Sequence, residues 1–258
     1  MSLRKTERTP PLATLGTGDV HIWMAAPDEI RTPHLLQEYH ALMNAAERRK
    51  HDRYRFEKHR HACLVTRALV RTTLSRYCPE VEPAAWQFIE VGNGRPEPAP
   101  GLTRRPLRFN LSHTDGLIAC AVTLSRTIGV DVESLDRRGE TVAIADRYFA
   151  PAEIRALRAQ PTQRQRERFF SYWTLKESYI KARGLGLAIP LDQFAFSLDE
   201  PGPIRISFDS QLADDPNVWQ FALERPTPRH MLAVGIERGE GPDLDIRIRS
   251  VVPLVNGP

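Results

Sequence analysis

Apolar and polar positions along the chain repeat in two rhythms, one near 3.6 residues and one of two. Residues 20–24 (VHIWM) predict a short strand, and a Pro-punctuated turn follows at 27–33. Residues 35–49 and 54–77 carry helical spacing; in the second, Phe56, Cys63, Leu64, Ala68, Val70 and Leu74 supply the apolar positions. Residues 86–91 predict a strand, and 92–106 (GNGRPEPAPGLTRRP) a loop, by their density of breakers. Residues 107–112 alternate, Phe109 and Leu111 against Asn110 and Ser112, and lead into His113. Thr114-Asp115-Gly116 has turn chemistry, and 117–124 is almost wholly apolar, as a strand buried on both faces is. Alternation resumes at 128–133, with Ile128, Val130 and Val132 on one face and Gly129, Asp131 and Glu133 on the other. Helical spacing returns from Thr141, through a helix opened by Pro151, to 164–183, where Gly184 and Gly186 end it. Strand candidates follow at 191–198, 204–208, 219–223, 231–236 and 246–251.

Each half therefore reads strand, helices, then strands, over 20–124 and again over 128–236. This predicts an α+β fold of two similar halves packed face to face around a cleft, with a leader at 1–18, a first half at 19–126 and a second at 127–258.

Charge sharpens this picture more than composition does. The 258 residues are 41% hydrophobic and 26% charged, and no run is long enough to cross a bilayer. The leader is charged and Pro/Gly-rich without an apolar core, so a cytoplasmic protein is expected. Cys63, Cys78 and Cys120 are odd in number and form no CxxC, which argues for packing and against a disulfide framework or structural zinc. The net charge of +4 is mild, yet residues 47–76 hold ten Lys/Arg against three Asp/Glu. Arg53, Arg60, Arg67 and Arg71 recur along one flank of that helix, and a field of this sign favours an anionic partner: nucleic acid, a phosphate-bearing small molecule or an acidic protein surface.

The stretch 169–186 (FFSYWTLKESYIKARGLG) places a carboxylate inside an apolar stripe. At about 100° per residue, Phe169, Phe170, Trp173 and Ile180 share a sector with Glu177 at its middle, and Lys176 and Lys181 flank it. The bland reading is a surface Glu177–Lys181 pair at i,i+4. Asp131 and Glu133, about 7 Å apart along their strand, repel one another unless a cation sits on them. With Glu177 they make three oxygen donors, a set suited to Mg²⁺, which fills its remaining positions with water and phosphate. Gly94-Arg95-Pro96 would suit a loop lying against a flat ligand, and equally a connector. A Ser112-His113-Asp131 hydrolase triad fails because adjacent strand residues point to opposite faces and no G-x-S-x-G elbow exists. The non-enzyme alternative is a nucleic-acid-binding module on the Arg-rich helix, but it leaves three acids facing a polyanion.

Taken together, GRP at 94–96, FNLSH at 109–113, GVDVE at 129–133 and the stretch at 169–186 resemble the 4′-phosphopantetheinyl transferases of the long, surfactin-synthetase-activating type. The resemblance implies a pseudo-dimer of two α+β halves within one monomeric chain. It implies an enzyme of the holo-[acyl-carrier-protein] synthase type, moving phosphopantetheine from coenzyme A to a serine of an apo acyl or peptidyl carrier protein. Asp131, Glu133 and Glu177 would hold Mg²⁺ or Mn²⁺, with Glu177 also deprotonating the serine, and Lys181 would hold the pyrophosphate. Ser112 and His113 would contact coenzyme A phosphates, Gly94, Arg95 and Pro96 would lie beside adenine, and Arg53 and Arg60 would reach the 3′-phosphate. The chain departs from the familiar pattern at Arg60-His61-Ala62-Cys63, where His-Arg-Thr is common, and at Arg95, where Lys is common.

Overall fold

The computed structural model describes residues 14–139, 141–198 and 202–255; residues 1–13 of the expected leader lie outside them. The first half runs through β1 (Asp19–Ala25), α1 (Pro33–Leu42), α2 (Ala45–Asp52) and α3 (Glu57–Tyr77) to β2 (Phe88–Val91), β3 (Arg95–Pro98), β4 (Leu107–Thr114) and β5 (Leu117–Leu124). The second holds β6 (Ile128–Ser134), α4 (Thr141–Tyr148), α5 (Pro151–Arg158), α6 (Thr162–Arg183), β7 (Phe194–Ser197), β8 (Arg205–Phe208), β9 (Trp219–Thr227), β10 (His230–Glu237) and β11 (Asp245–Ser250). No helix among the described residues is long and apolar enough to cross a membrane.

Two principal sheets form, ordered β11-β1-β5-β4 and β6-β10-β9. Period-2 alternation sends each strand's side chains to different layers. Val20, Ile22, Met24, Leu117, Ala119 and Ala121 meet Ile128, Val130, Val132, Leu232, Val234 and Ile236 between the sheets. The opposite faces carry the helices. Trp23, Ile118, Cys120 and Val122 pack under α1 and α3, while Phe221, Met231 and Ala233 pack under α6 through Phe169, Phe170, Leu175 and Tyr179. The result is the expected pair of α+β halves, in the layer order helix, sheet, sheet, helix.

Four local expectations change. Residues 35–49 break into two helices because Asn44 caps the second one: its Oδ1 accepts from Glu47 N–H at 2.9 Å while Glu47 Oε2 accepts from Asn44 N–H at 3.0 Å. The helix expected from residue 54 begins at Glu57. The stretch read as loop holds β3, paired with β2 alone. Pro96 and Pro98 are tolerated there because a strand with a free edge can lack donors on it. Finally β11 crosses the expected boundary and pairs in parallel with β1, so the last strand of the chain completes the sheet of the first half.

The sheets meet along β4 and β6 without a backbone ladder. Val130 N–H donates to Asn110 Oδ1 at 2.9 Å, Val132 N–H to Ser112 Oγ at 3.2 Å and Ser134 N–H to Thr114 Oγ1 at 3.2 Å, at a constant offset of 20 residues. Three side chains thereby satisfy an edge that would otherwise expose buried donors.

Candidate active site

Helix α6 lies unusually close to β6 and β10, because a glycine stands beneath it on each. Gly129 and Gly235 are register partners. A Cβ on Gly129 would stand 2.0 Å from Ser178 O and 2.5 Å from Ala182 N, so only a residue without a side chain lets the helix seat there. That seating brings Lys181 down onto β6. Its ammonium donates to Asp131 Oδ1 at 2.7 Å, Ser112 Oγ at 3.0 Å and Val130 O at 3.3 Å, using all three donors. Ser112 Oγ in turn donates to Asp131 Oδ1 at 2.9 Å and accepts from Val132 N–H. The far side of the helix is held by Lys176, which is fully buried and bonds Glu153 Oε2 at 2.7 Å, Leu191 O at 2.7 Å and Phe194 O at 2.6 Å. Tyr179 and Arg183 both bond Asp214.

The electrostatics of this corner are unbalanced. Asp131 is buried, and its second oxygen, Oδ2, has no hydrogen-bond partner. Burial, and then the charge of Asp131, push the Glu133 carboxyl up to about 7, with Arg137, the Trp173 indole and Lys181 opposing. Glu177 is also raised, first by burial and then by Asp131, with Lys181 opposing. Carboxylates raised in this way would be relieved by a bound cation. Among the described residues no three acidic or imidazole side chains converge as a ready cage. The orphaned Asp131 oxygen beside two destabilised carboxylates nonetheless fits a hard divalent ion that takes few protein ligands.

Two cavities adjoin the cluster and share Gly94, Pro96 and Leu111. The smaller, about 260 Å³, is lined by Glu177, Ile180, Lys181, Asn110 and Arg95. The larger, about 630 Å³, is lined on its basic side by Lys50, His59, Arg67 and His113, with Tyr54 and Thr66. His113 is held below the usual imidazole value, first by burial and then by Lys181, His59 and Arg67, so it sits in a field that favours an anion.

A family model described as the 4′-phosphopantetheinyl transferase superfamily matches residues 127–234. Among solved structures, the holo-(acyl-carrier-protein) synthase of Bacillus anthracis in complex with CoA (3′,5′-ADP) aligns at 16% identity and a TM-score of 0.35, covering 43% of this chain and 95% of that one. The 4′-phosphopantetheinyl transferase Sfp of Bacillus subtilis is 30% identical over 219 residues, which is 85% of this chain and 92% of its own. The 4′-phosphopantetheinyl transferase HetI of a Nostoc strain is 34% identical over 76% of this chain and 81% of its own. The chain belongs to the 4′-phosphopantetheinyl transferase superfamily. In this transferase the matched span contains Asp131, Glu133, Glu177 and Lys181, whereas β4, the β2–β3 hairpin and α3 lie outside it.

The transferase brings some of the expected residues to the cleft and not others. Gly94, Arg95, Pro96, His113, Glu177 and Lys181 line one cavity or both. Ser112, Asp131 and Glu133 line neither; the Ser112 hydroxyl and Asp131 are committed to the joint beneath Lys181. Arg53, at the end of α2, and Arg60 also line neither, and Arg60 bonds Glu57 Oε2 at 2.6 Å and Tyr54 O at 2.7 Å. Of Lys50, His59 and Arg67, which face the larger cavity, Arg67 belongs to the arginine flank read in the sequence, but none of the three was assigned a phosphate contact there; that α2 stops at Asp52 and α3 starts at Glu57 decides which basic residues turn inward. Arg71 is fully buried on Glu47 and the carbonyls of Pro83 and Trp86, and Arg76 lies 4.8 Å from the Trp23 ring. With these turned inward, the continuous basic face that motivated a nucleic-acid module is not there.

Proposed function

We propose that this transferase moves 4′-phosphopantetheine from coenzyme A to a serine hydroxyl of an apo acyl or peptidyl carrier protein, releasing adenosine 3′,5′-bisphosphate. The observation that carries this reading is the partnerless oxygen of buried Asp131, bonded through its other oxygen to Lys181, which with Glu177 lines the smaller chamber of a cleft whose larger chamber carries Lys50, Arg67, His59 and His113 beside Glu47 and Glu90. Asp131, Glu133 and Glu177 would hold Mg²⁺ or Mn²⁺. Such an ion, when bound, supplies neutralisation of a pyrophosphate.

Glu177 lines the smaller cavity and is raised above the ordinary carboxylate range. It takes the serine proton, directly or through a water, as the serine oxygen–phosphorus bond forms and the phosphoanhydride bond of coenzyme A breaks. Lys181 offsets the negative charge that grows on the departing phosphate. Gly94 and Pro96 border both chambers, Lys50 and Arg67 supply positive charge for the phosphoadenosine end, and His113 and His59 offer ring nitrogens as hydrogen-bond partners there. Each chain carries both halves of the cleft, so a monomer suffices for activity of the holo-[acyl-carrier-protein] synthase type.

Mass spectrometry of a panel of apo acyl and peptidyl carriers, incubated with the protein and coenzyme A with and without Mg²⁺, tests the proposal. A phosphopantetheine mass shift that requires the cation is expected on at least one carrier. No shift on any carrier would overturn it.

A further inference from the structure

The β2–β3 hairpin reaches across the cleft and touches the second half through its tip. Arg95 donates from one terminal nitrogen to Ala182 O at 3.1 Å and from the other to Glu97 Oε1 at 2.6 Å. Glu97 Oε2 accepts from Arg108 on β4 at 2.7 Å. The side chains of Arg95 and Glu97 are only 18% and 19% exposed. Backbones also come close at this point: a Cβ on Gly92 would stand 3.0 Å from Gly184 O. The hairpin has two strands of four residues each, and such a unit has marginal stability by itself. Yet it supplies Gly94 and Pro96 to both chambers.

We propose that Arg95, Glu97 and Arg108 form a latch that clamps this hairpin onto the C-terminal turn of α6. Arg95 is then a positioning residue for the cleft and not a ligand of coenzyme A phosphates. The proposal rests on the reading that coenzyme A occupies the cleft. Three physical points support it. The last carbonyls of a helix have no partner within the helix, so Ala182 O offers a free acceptor. A cation there also complements the negative end of the helix dipole. The planar fork of a guanidinium can serve a carbonyl and a carboxylate together, and one already held by Glu97 presents little net charge to a phosphate.

The two roles for Arg95 give opposite signs for one substitution. Glu97→Gln removes the negative charge paired with Arg95, which itself lines the smaller chamber, and releases one arm of Arg95. If Arg95 were a phosphate ligand, coenzyme A would bind the variant more tightly. As a latch, the loss of one charge-assisted bond weakens binding by about ten-fold, or about 1.4 kcal/mol. Calorimetry with coenzyme A and Mg²⁺ on the full chain measures this. Wild-type protein that binds no coenzyme A would overturn the cleft reading itself. Wild-type binding together with Glu97→Gln binding equally or more tightly would overturn the latch alone. Steady-state kinetics should show Glu97→Gln raising KM for coenzyme A while kcat at saturation stays within about two-fold, since Glu97 lines neither chamber. A fall in kcat with unchanged KM would count against the latch. Hydrogen exchange of amides 88–98 should accelerate in Glu97→Gln and Arg95→Ala, and unaltered protection in both would refute the clamp.

Discussion

Gly129→Ala is a severe test of the reading that α6 is seated by glycine. The added Cβ would lie 2.0 Å from Ser178 O, whereas ordinary contact begins near 3.4 Å, so helix and strand must separate by about 1.4 Å at that point. The atoms in the way are backbone, so no side-chain rotation relieves them. A shift of that size stretches the 2.7 Å Lys181–Asp131 contact beyond bonding range. Overpacking should lower stability by about 2–3 kcal/mol, a fall of roughly 5–10 °C in Tm for a chain of this size. Displacing a catalytic group by about 1 Å should lower turnover by about 100-fold. Gly235→Ala is the control. Its Cβ would meet Phe221 Cε1 at 2.9 Å and Ser178 Oγ at 3.2 Å, both side-chain atoms that can move, so most activity should survive. Carrier modification and thermal unfolding on both variants decide the matter. Gly129→Ala retaining kcat within about three-fold of wild type would refute the seating argument.

Other consequences are open to the same assays. Asp131→Ala and Glu177→Ala should each abolish transfer while the far-UV spectrum stays native, and turnover in either would remove the cation assignment. Lys181→Ala should lose at least about 100-fold in turnover and much less in coenzyme A affinity; a purely binding defect by calorimetry would count against its role at the departing phosphate. Glu153→Ala strands the buried Lys176 ammonium and should destabilise by about 3–5 kcal/mol, while replacing both residues with methionine recovers most of that in urea unfolding. A single variant within about 1 kcal/mol of wild type would mean the pair is not what it looks like. Burial holds His21 below its ordinary value of 6.5. The unfolded chain therefore takes up the proton first as pH falls, and stability present above pH 6.5 declines by up to about 1.4 kcal/mol per unit below it. His21→Gln should flatten this slope between pH 7.5 and 5.5, and an unchanged slope would exclude His21 as its source.

Elements with one strong period were legible from residues alone. The alternation of 128–133 separated Ile128, Val130 and Val132 from Gly129, Asp131 and Glu133, and in the folded chain the first set lies between the sheets while Gly129 and Asp131 face α6. What escaped depended on partners distant in sequence. Lys176 read as the flank of a stripe, and its burial becomes intelligible only with Glu153, whose carboxylate also accepts from Ala150 and Phe196 N–H. Glu153 is the third residue of a Pro-opened helix, a capping position that hinted at an inward-facing acid. Arg71 is the same case, with Glu47 as its partner 24 residues away. Strand β3 was hidden by its prolines, and the partner of β11 by the whole length of the chain. Ser112 was expected to contact a phosphate; its role as a joint beneath Lys181 follows from β4 and β6 lying side by side, which no local pattern encodes.

That seam bears on how accurately the two walls of the cleft are aligned. A backbone ladder looks the same after a slip of two residues, whereas one amide and two hydroxyls on alternate positions are unequal acceptors and mark a single register. A slip of one repeat would carry Asp131 about 7 Å along its strand, past both Ser112 and the reach of Lys181. Asn110, Ser112 and Thr114 thus act as a vernier between two sheets whose shared apolar core does not itself mark a register, fixing the height of Asp131 against β4.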